Sequence, residues 1–394
     1  RGIISSLSPG APTQTHGRIA YRFRIVPRLS RLRHCVTHRV FQDRTVPEIV
    51  AAVLELNKVP ARWNLRRKYA RRAYCVQYQE SDLGFIARLL AEEGIFYFFE
   101  HPTVSPFNDP LVEQEVITFG DGPEAHPPIS ESATPRLDVT GAFSVQRLNS
   151  PSSPRLRLCE HGGFSAADDE VSTFSVQQSM RPNVVQLRDY DFRRPRLDLS
   201  SKANTYAADT TLKVDEFRGE HDEPEVNPDR AQSQLEQYRR KATYAQGESS
   251  CRRLAVGHRF RLAADGMAKL AGEYTLTKVE HEGRAPAWAG NADKRSSYEA
   301  RFACAPADMA FRPPRPKKAL QQVLESATVV GPANDEIHVD GHGRIKVQFH
   351  WDREGRHNEF SSCWMRVVQS WAGASWGTQF IPRIGMEVMV SFVG

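Results

Sequence analysis

What is scarce in these 394 residues narrows the field first. No uninterrupted apolar run approaches the roughly 18 residues that a bilayer-spanning helix requires, so no membrane insertion is expected. Nor does the opening suggest a secretory leader: it reads Arg1-Gly2-Ile3-Ile4, without methionine or a basic segment ahead of an apolar one, so none is expected within the sequence given. The true amino terminus is therefore expected to lie outside this sequence. The six cysteines (Cys35, Cys75, Cys159, Cys251, Cys304, Cys363) are scattered, with no C-x-x-C pair. Neither a zinc knuckle nor a disulfide framework is indicated, and the pattern suits reduced thiols packed as small hydrophobes in a protein folded in the cytoplasm. No Walker loop, G-x-G-x-x-G or H-E-x-x-H occurs.

The length exceeds what one growing core serves, so two to four domains are expected. Charge is mild in sum, 53 basic against 47 acidic side chains, net +6. One local run stands out. Arg62, Arg66, Arg67, Lys68, Arg71 and Arg72 surround Trp63, Tyr69 and Tyr74, a composition that could track phosphates and stack bases. The same run also reads as a solvated face or a protein-docking surface.

Along the chain, Arg18 to Val26 alternates as a strand. A helix is expected from Thr45, where Thr45 and Glu48 have capping-box spacing, Pro47 sits in the first turn, and Ile49, Val50, Val53 and Leu54 share a face. A second helix should run from Ser81 to Glu93, with Leu83, Ile86, Leu89 and Leu90 inward and Gly94 as its stop. Ile95 to Phe99 is apolar on both faces, which predicts a strand covered on both sides, with the two helices as cover. Residues 102 to 135 read as loops around a short strand, Val116 to Phe119. Residues 218 to 228 read as an acidic surface loop. From Pro228 a third helix carries Ala231, Leu235, Tyr238 and Ala242 as a stripe expected to lie across a barrel. Strands follow at Arg259 to Leu262 and Glu273 to Val279, and Arg312-Pro313-Pro314-Arg315-Pro316 is a stiff spacer.

Two groupings invite chemistry. Gly373-Ala374-Ser375-Trp376-Gly377 matches the G-x-S-x-G nucleophile elbow, but that elbow needs a following helix and later Asp and His residues, and neither type occurs beyond Ser375. His338, Asp340, His342, His350 and His357 could suggest a metal site. Their spacing does not imply convergence, and surface or subunit-contact histidines are the simpler reading. No catalytic, cofactor-binding or metal residue is assigned, no cofactor is implied and the protein is read as not an enzyme. Trp351, Trp364, Trp371 and Trp376 are read as packing a small barrel and its contacts with neighbours.

That barrel is the most informative part of the chain. Ile345, Val347, Phe349 and Trp351 alternate with Lys346, Gln348 and His350, the period of a strand with one core face and one wet face. Cys363 to Gln369 and Met386 to Phe392 carry similar strand content, separated by Trp371-Ala372-Gly373 and Trp376-Gly377, which suit tight barrel loops. Together these strands predict a small antiparallel barrel.

The ordered string G-R-I-K-V-Q-F-H-W-D-R-E-G (343–355), S-S-C-W (361–364), W-A-G-x-x-W-G (371–377) and I-P-R-I-G-M-E-V (381–388) resembles the OB barrel of the VgrG proteins, the spikes of bacterial type VI secretion related to phage tail hubs. The resemblance extends upstream through Phe41 to Val50, Tyr74 to Leu83, Glu92 to His101, Val184 to Phe192 and Pro306 to Arg315. Ser370 stands where the family usually has proline.

The resemblance implies a mainly β protein with an α/β insert, two related phage-hub-type β-barrel domains and an incomplete OB-fold barrel. The implied boundaries are a partial first barrel at 1–45, the insert with two helices and an aromatic strand at 46–135, a second barrel with one helix at 136–312, a Pro-rich linker at 313–329 and the OB neck at 330–394. The chain is expected to be truncated at both ends. It also implies a homotrimer whose six barrels match the hexameric tube protein Hcp, with a PAAR-repeat protein and effectors as partners of the full-length protein. Assembly would occur in the bacterial cytoplasm, followed by translocation into a target cell or the medium. The alternative is an OB-fold nucleic-acid-binding protein using the Arg62 to Arg72 cluster; on the spike reading no nucleic acid is expected.

Overall fold

The computed structural model describes residues 2–12, 19–101, 115–130, 136–137, 143–144, 154–159, 170–205, 211–217, 227–284, 297–316, 323–373 and 375–392. The chain is mainly β and divides into two compact units that interleave in sequence. One holds residues 1–60, 69–92 and 315–394; the other holds 61–68 and 93–314. Most of the acidic loop expected at 218–228 and much of the loop region at 102–135 lie outside the described residues.

In the first unit, Ile3–Pro12 and Ile19–Val26 pair antiparallel as a two-stranded ribbon. A 3-10 turn at Arg28–His34 buries Leu29 and Leu32 and leads to the strand Val36–Phe41, which pairs antiparallel with Cys75–Ser81. Helix α1, Val46–Leu56, starts as its sequence specifies: the Thr45 hydroxyl accepts from the Glu48 amide and the Glu48 carboxylate accepts from the Thr45 amide. Its stripe of Ile49, Val50, Val53 and Leu54 is buried, as are Phe85, Ile86, Leu89 and Leu90 of helix α2, Asp82–Glu93. Asp82 begins α2 as an anchor. Its carboxylate accepts from Arg39 at 3.1 Å, Gln77 at 2.8 Å and Asn57 at 3.2 Å, so a buried charge is matched by three donors. After α2, Gly94 takes a left-handed φ of 69°, the usual helix stop.

The terminal sheet of this unit orders Lys346–Phe349, Leu324–Val330 and Glu387–Ser391 side by side, antiparallel. It takes in Leu324 to Val330, residues largely inside the expected linker, because Ala327 and Val329 bury beside Val347 and Phe349. Ile345, Val347 and Phe349 point into the core as the alternation requires. Gln348 breaks the expected pattern: it is 1% exposed rather than wet. The turn after Trp351 folds over it, so its amide nitrogen donates to the Asp352 carbonyl and carboxylate, both at 3.1 Å. Period 2 assigns the face, while a returning loop decides whether that face meets water.

In the second unit, Arg155–Leu158, Glu170–Gln178, Thr243–Ser249, Ser297–Pro306, Gly272–Arg284 and Arg259–Ala263 close into a six-stranded barrel. Leu156, Val171, Phe260, Leu262, Leu276 and Phe302 fill it, with Phe260 and Phe302 edge to face at 5.6 Å. Gly247 has a packing reason: a Cβ there would lie 2.5 Å from the Thr173 carbonyl oxygen and 2.7 Å from the Phe302 ring. Of the two barrels implied by the resemblance, this is the one that closes among the described residues; residues 2–41 supply the ribbon, the 3-10 turn and one strand.

Helix α3, Asn227–Arg239, departs from expectation. Its Ala231, Leu235 and half-buried Tyr238 pack on Val185, Leu187 and Ala203, in a separate sheet of Ser201–Asn204, Val184–Arg188 and Lys213–Phe217. The barrel fills its own interior, and the small sheet has the uncovered apolar face. The aromatic strand Phe96–Glu100 also departs. It is the edge of a three-stranded sheet with Val116–Gly120 and Ala61–Asn64; Phe96 and Phe98 are buried with Ala125 and Phe311, while Tyr97 is 36% exposed. A run apolar on both faces thus has only one face buried, because tyrosine tolerates a wet ring edge.

Candidate interaction surfaces

The arginine cluster does not present a free cationic track. Arg62 meets Glu100 at 2.5 Å, Arg66 meets Glu124 at 3.6 Å, Arg71 meets Glu48 at 3.5 Å and Arg72 meets Glu92 at 2.7 Å. Arg67 is largely buried, donating to the Ser233 hydroxyl at 2.5 Å and the Glu93 carbonyl at 2.6 Å. Trp63 is stacked on Phe119 at 4.2 Å. The residues are also divided, with 62–68 in one unit and 69–74 in the other. Internal pairing accounts for charges that sequence could only count, so the nucleic-acid alternative is not favoured.

Glu92 illustrates the electrostatics. Burial works against its charge, yet the Arg72 and Arg88 guanidiniums hold the carboxyl below its ordinary range. His126 shows the opposite situation: it is buried, stacked on Phe96 at 4.3 Å, with Nδ1 2.9 Å from the Gly257 carbonyl oxygen. Burial pushes its pKa down to about 4.

Ser375 lies in the turn of a hairpin between Ala372–Gly373 and Trp376–Gly377, at φ 64°, rather than before a helix. Among the histidines, His338 packs on Trp364 with ring centroids 4.8 Å apart, His350 lies 3.9 Å from Glu387, His342 donates its backbone amide to Asp340, and His357 has φ 53°. Among the described residues no group of three or more potential ligands converges on a metal position.

Among the described residues, two groups of exposed apolar side chains stand out, both in the first unit. On the ribbon, Ile4 opposes Ile25 and Leu7 opposes Phe23. Directly opposed residues share a face. Ile4, Leu7, Tyr21, Phe23 and Ile25 are all exposed, with Arg22 and Arg24 alternating onto the other face. Strand alternation was legible here; the lack of cover was not. The second surface is an arm within residues 368–380. The Gln369 side-chain amide pairs both ways with the Phe380 backbone, at 2.8 and 3.1 Å, and the Thr378 amide donates to the Trp371 carbonyl. Val368, Trp371, Trp376 and Phe380 are exposed on it. The tryptophans therefore divide: Trp351 lies against Phe349 and Trp364 beneath the Lys346 ammonium, while Trp371 and Trp376 face outward.

A hub-like β architecture followed by an OB-type domain defines a class, the hub and injector components of contractile phage tails and their secretion relatives. Residues 1–287 match the phage tail baseplate hub family, and 327–394 match the type VI secretion system/phage-baseplate injector OB domain. The chain belongs to the VgrG family of type VI secretion system spike proteins. It is 36% identical to spike protein VgrG4b of Pseudomonas aeruginosa over 95% of this chain and 44% of that protein. It is also 32% identical to the actin cross-linking toxin VgrG1 of Vibrio cholerae, over 100% of this chain and 33% of that one. The chain thus spans less than half the length of either relative. Its fold is similar to an Escherichia coli type VI secretion component described as resembling T4 bacteriophage tail proteins. That match has a TM-score of 0.59 and 19% identity, covering 99% of this chain and 79% of that one. No helix among the described residues is long and apolar enough to cross a membrane.

Proposed function

We propose that this chain forms the hub and neck of a type VI secretion spike. Three copies associate, their hub domains match the sixfold Hcp tube, and the OB domains form the neck of a spike that carries effectors, with a PAAR-repeat protein at the tip of the full-length protein. Assembly takes place in the bacterial cytoplasm, and the spike leaves with the tube. The observation that carries this reading is the order of hub and OB regions along nearly the whole chain. The exposed ribbon and arm support it: single exposed apolar residues are ordinary, but grouped ones rimmed by charge mark protein contacts. A closed ring of copies would cover such faces and protect strand edges. The role is mechanical, and no residue is assigned a catalytic, cofactor-binding or metal-binding part.

Light scattering on the protein expressed from its own gene tests this. The expected result is three times the subunit mass, with retention of Hcp rings on the immobilised protein. A monomer that leaves Hcp in the flow-through would defeat the reading.

A further inference from the structure

On the outer wall of the barrel one arginine is left without a carboxylate. Phe260, Leu262, Tyr274 and Leu276 fill the interior, so strand alternation turns Arg259 and Thr275 outward. The two stand directly opposite each other on neighbouring antiparallel strands, where opposed Cβ atoms are about 5 Å apart. They share a deficit. Arg259 Nε and Thr275 Oγ1 are both buried atoms with no hydrogen-bond partner among the described residues, and Thr275 is 3% exposed. The Arg259 guanidinium makes no ion pair among the described residues either. Other arginines of this unit are matched: Arg312 donates to the Glu236 carboxylate at 2.8 Å, and Arg230 pairs with Glu93 at 3.0 Å. Orphaned buried polar atoms cost stability, so two of them side by side on one face call for an acceptor from outside the chain.

A space for that acceptor adjoins them. Arg259 lines an open cavity of about 510 Å³, walled by Tyr274, Pro306 and Ala307, with the exposed residues Glu273 and Asp308 at its edge. The Tyr274 hydroxyl donates to the Leu270 carbonyl at 2.9 Å, which holds the ring as a fixed wall. This volume is that of a small-ligand site and suits the end of a peptide better than a folded surface. Charge narrows the choice. A single planar guanidinium matches a carboxylate, which it can bind through two parallel hydrogen bonds, and the Thr275 hydroxyl can donate to the same group. A multiply charged anion such as diphosphate would meet one arginine and the repulsion of two carboxylates. Those carboxylates instead suit a cation beside the ligand's own negative end.

We propose that this cleft binds the free carboxyl terminus of a peptide that carries a basic side chain close to its end. Arg259 and Thr275 hold the terminal carboxylate, and Glu273 and Asp308 receive the basic side chain. The site stands whether or not the chain assembles as a spike.

The test is fluorescence anisotropy at neutral pH on the full chain, with the amino-terminally labelled peptide Gly-Gly-Ala-Lys-Ala as probe. The free acid should bind saturably, and the same peptide ending in an amide about tenfold more weakly. Arg259→Met should weaken the acid about tenfold, the loss of one charge-assisted hydrogen bond or more. Thr275→Val should weaken it several-fold while its urea midpoint is no lower than that of the wild type, because the substitution removes an orphaned hydroxyl. A hydroxyl with a merely structural part would instead lower the midpoint and leave affinity alone. If Arg259→Met does not fold, Arg259→Lys decides, since it keeps the charge but loses the fork and should weaken the acid by a similar factor. The site is overturned by an acid that does not bind, by an amide that binds as tightly, by diphosphate that binds more tightly than the peptide, or by wild-type affinity in the arginine variant.

Discussion

The Trp63 indole lies on the Phe119 ring with centroids 4.2 Å apart and planes 15° from parallel. This one stack decides what the arginine-rich segment can do. An indole stacked on a phenyl ring inside its own sheet has one of its two faces already taken, and the guanidiniums around it are engaged with carboxylates.

Trp63→Ala should therefore act on stability rather than on ligand binding. Removing a half-buried, stacked indole is expected to cost about 2 kcal/mol in urea unfolding. Fluorescence anisotropy with a labelled single-stranded oligonucleotide should show no saturable, steeply salt-dependent binding for wild type or variant. Tight binding that Trp63→Ala abolishes would revive the nucleic-acid alternative.

Acid should weaken the fold in two windows. His126 has its pKa lowered to about 4 from an ordinary value of 6.5, so the unfolded chain binds its proton first. Its contribution is complete above pH 6.5 and is lost as pH falls towards 4, about 3 kcal/mol in all. Arg259 and His258 face the same ring and add to the cost of protonation. Glu92, held low by Arg72 and Arg88 against its burial, contributes above the ordinary carboxylate pKa and loses that stability on further acidification. Urea midpoints from pH 8 to 4 should fall; in His126→Asn the drop between 6.5 and 4 should largely vanish. An unchanged profile in that variant would refute the assignment.

Gln348→Leu and Gln348→Ala should both destabilise the OB domain, for different reasons. Leucine removes the donor to Asp352 and strands buried acceptors, while alanine also leaves a void beneath the turn. About 2 kcal/mol is expected for each, against less than about 0.5 kcal/mol for His350→Ala, at an exposed turn position just past the end of the same strand. Equal, small effects at both positions would mean that the Gln348 side is wet after all.

Trp371→Ser combined with Trp376→Ser should leave thermal stability within about 0.5 kcal/mol, since both rings are largely exposed. If the arm packs against a neighbouring copy, the same double variant should lower the mass measured by light scattering. Wild-type mass in a folded double variant would remove the arm from the assembly surface.

Much of the chain was settled by short-range rules. The capping box of Thr45 and Glu48 sets where α1 begins, because its partners lie within one turn. The stop at Gly94 and the alternation of Ile345, Val347 and Phe349 are equally local, and the OB and hub motifs were legible as ordered strings. Tertiary structure alone decided which faces meet water. Gln348 is buried by a loop that returns over it, Tyr97 is exposed because its strand is an edge, and α3 chose a small sheet over the barrel. It also decided the fate of charge. Arg62, Arg67 and Arg72 look like one basic run in sequence, yet each finds an acceptor 20 or more residues away. The physical reason is common to all these cases: periodicity and capping depend on neighbours a few residues apart, whereas burial and ion pairing depend on segments brought together only when the chain closes on itself.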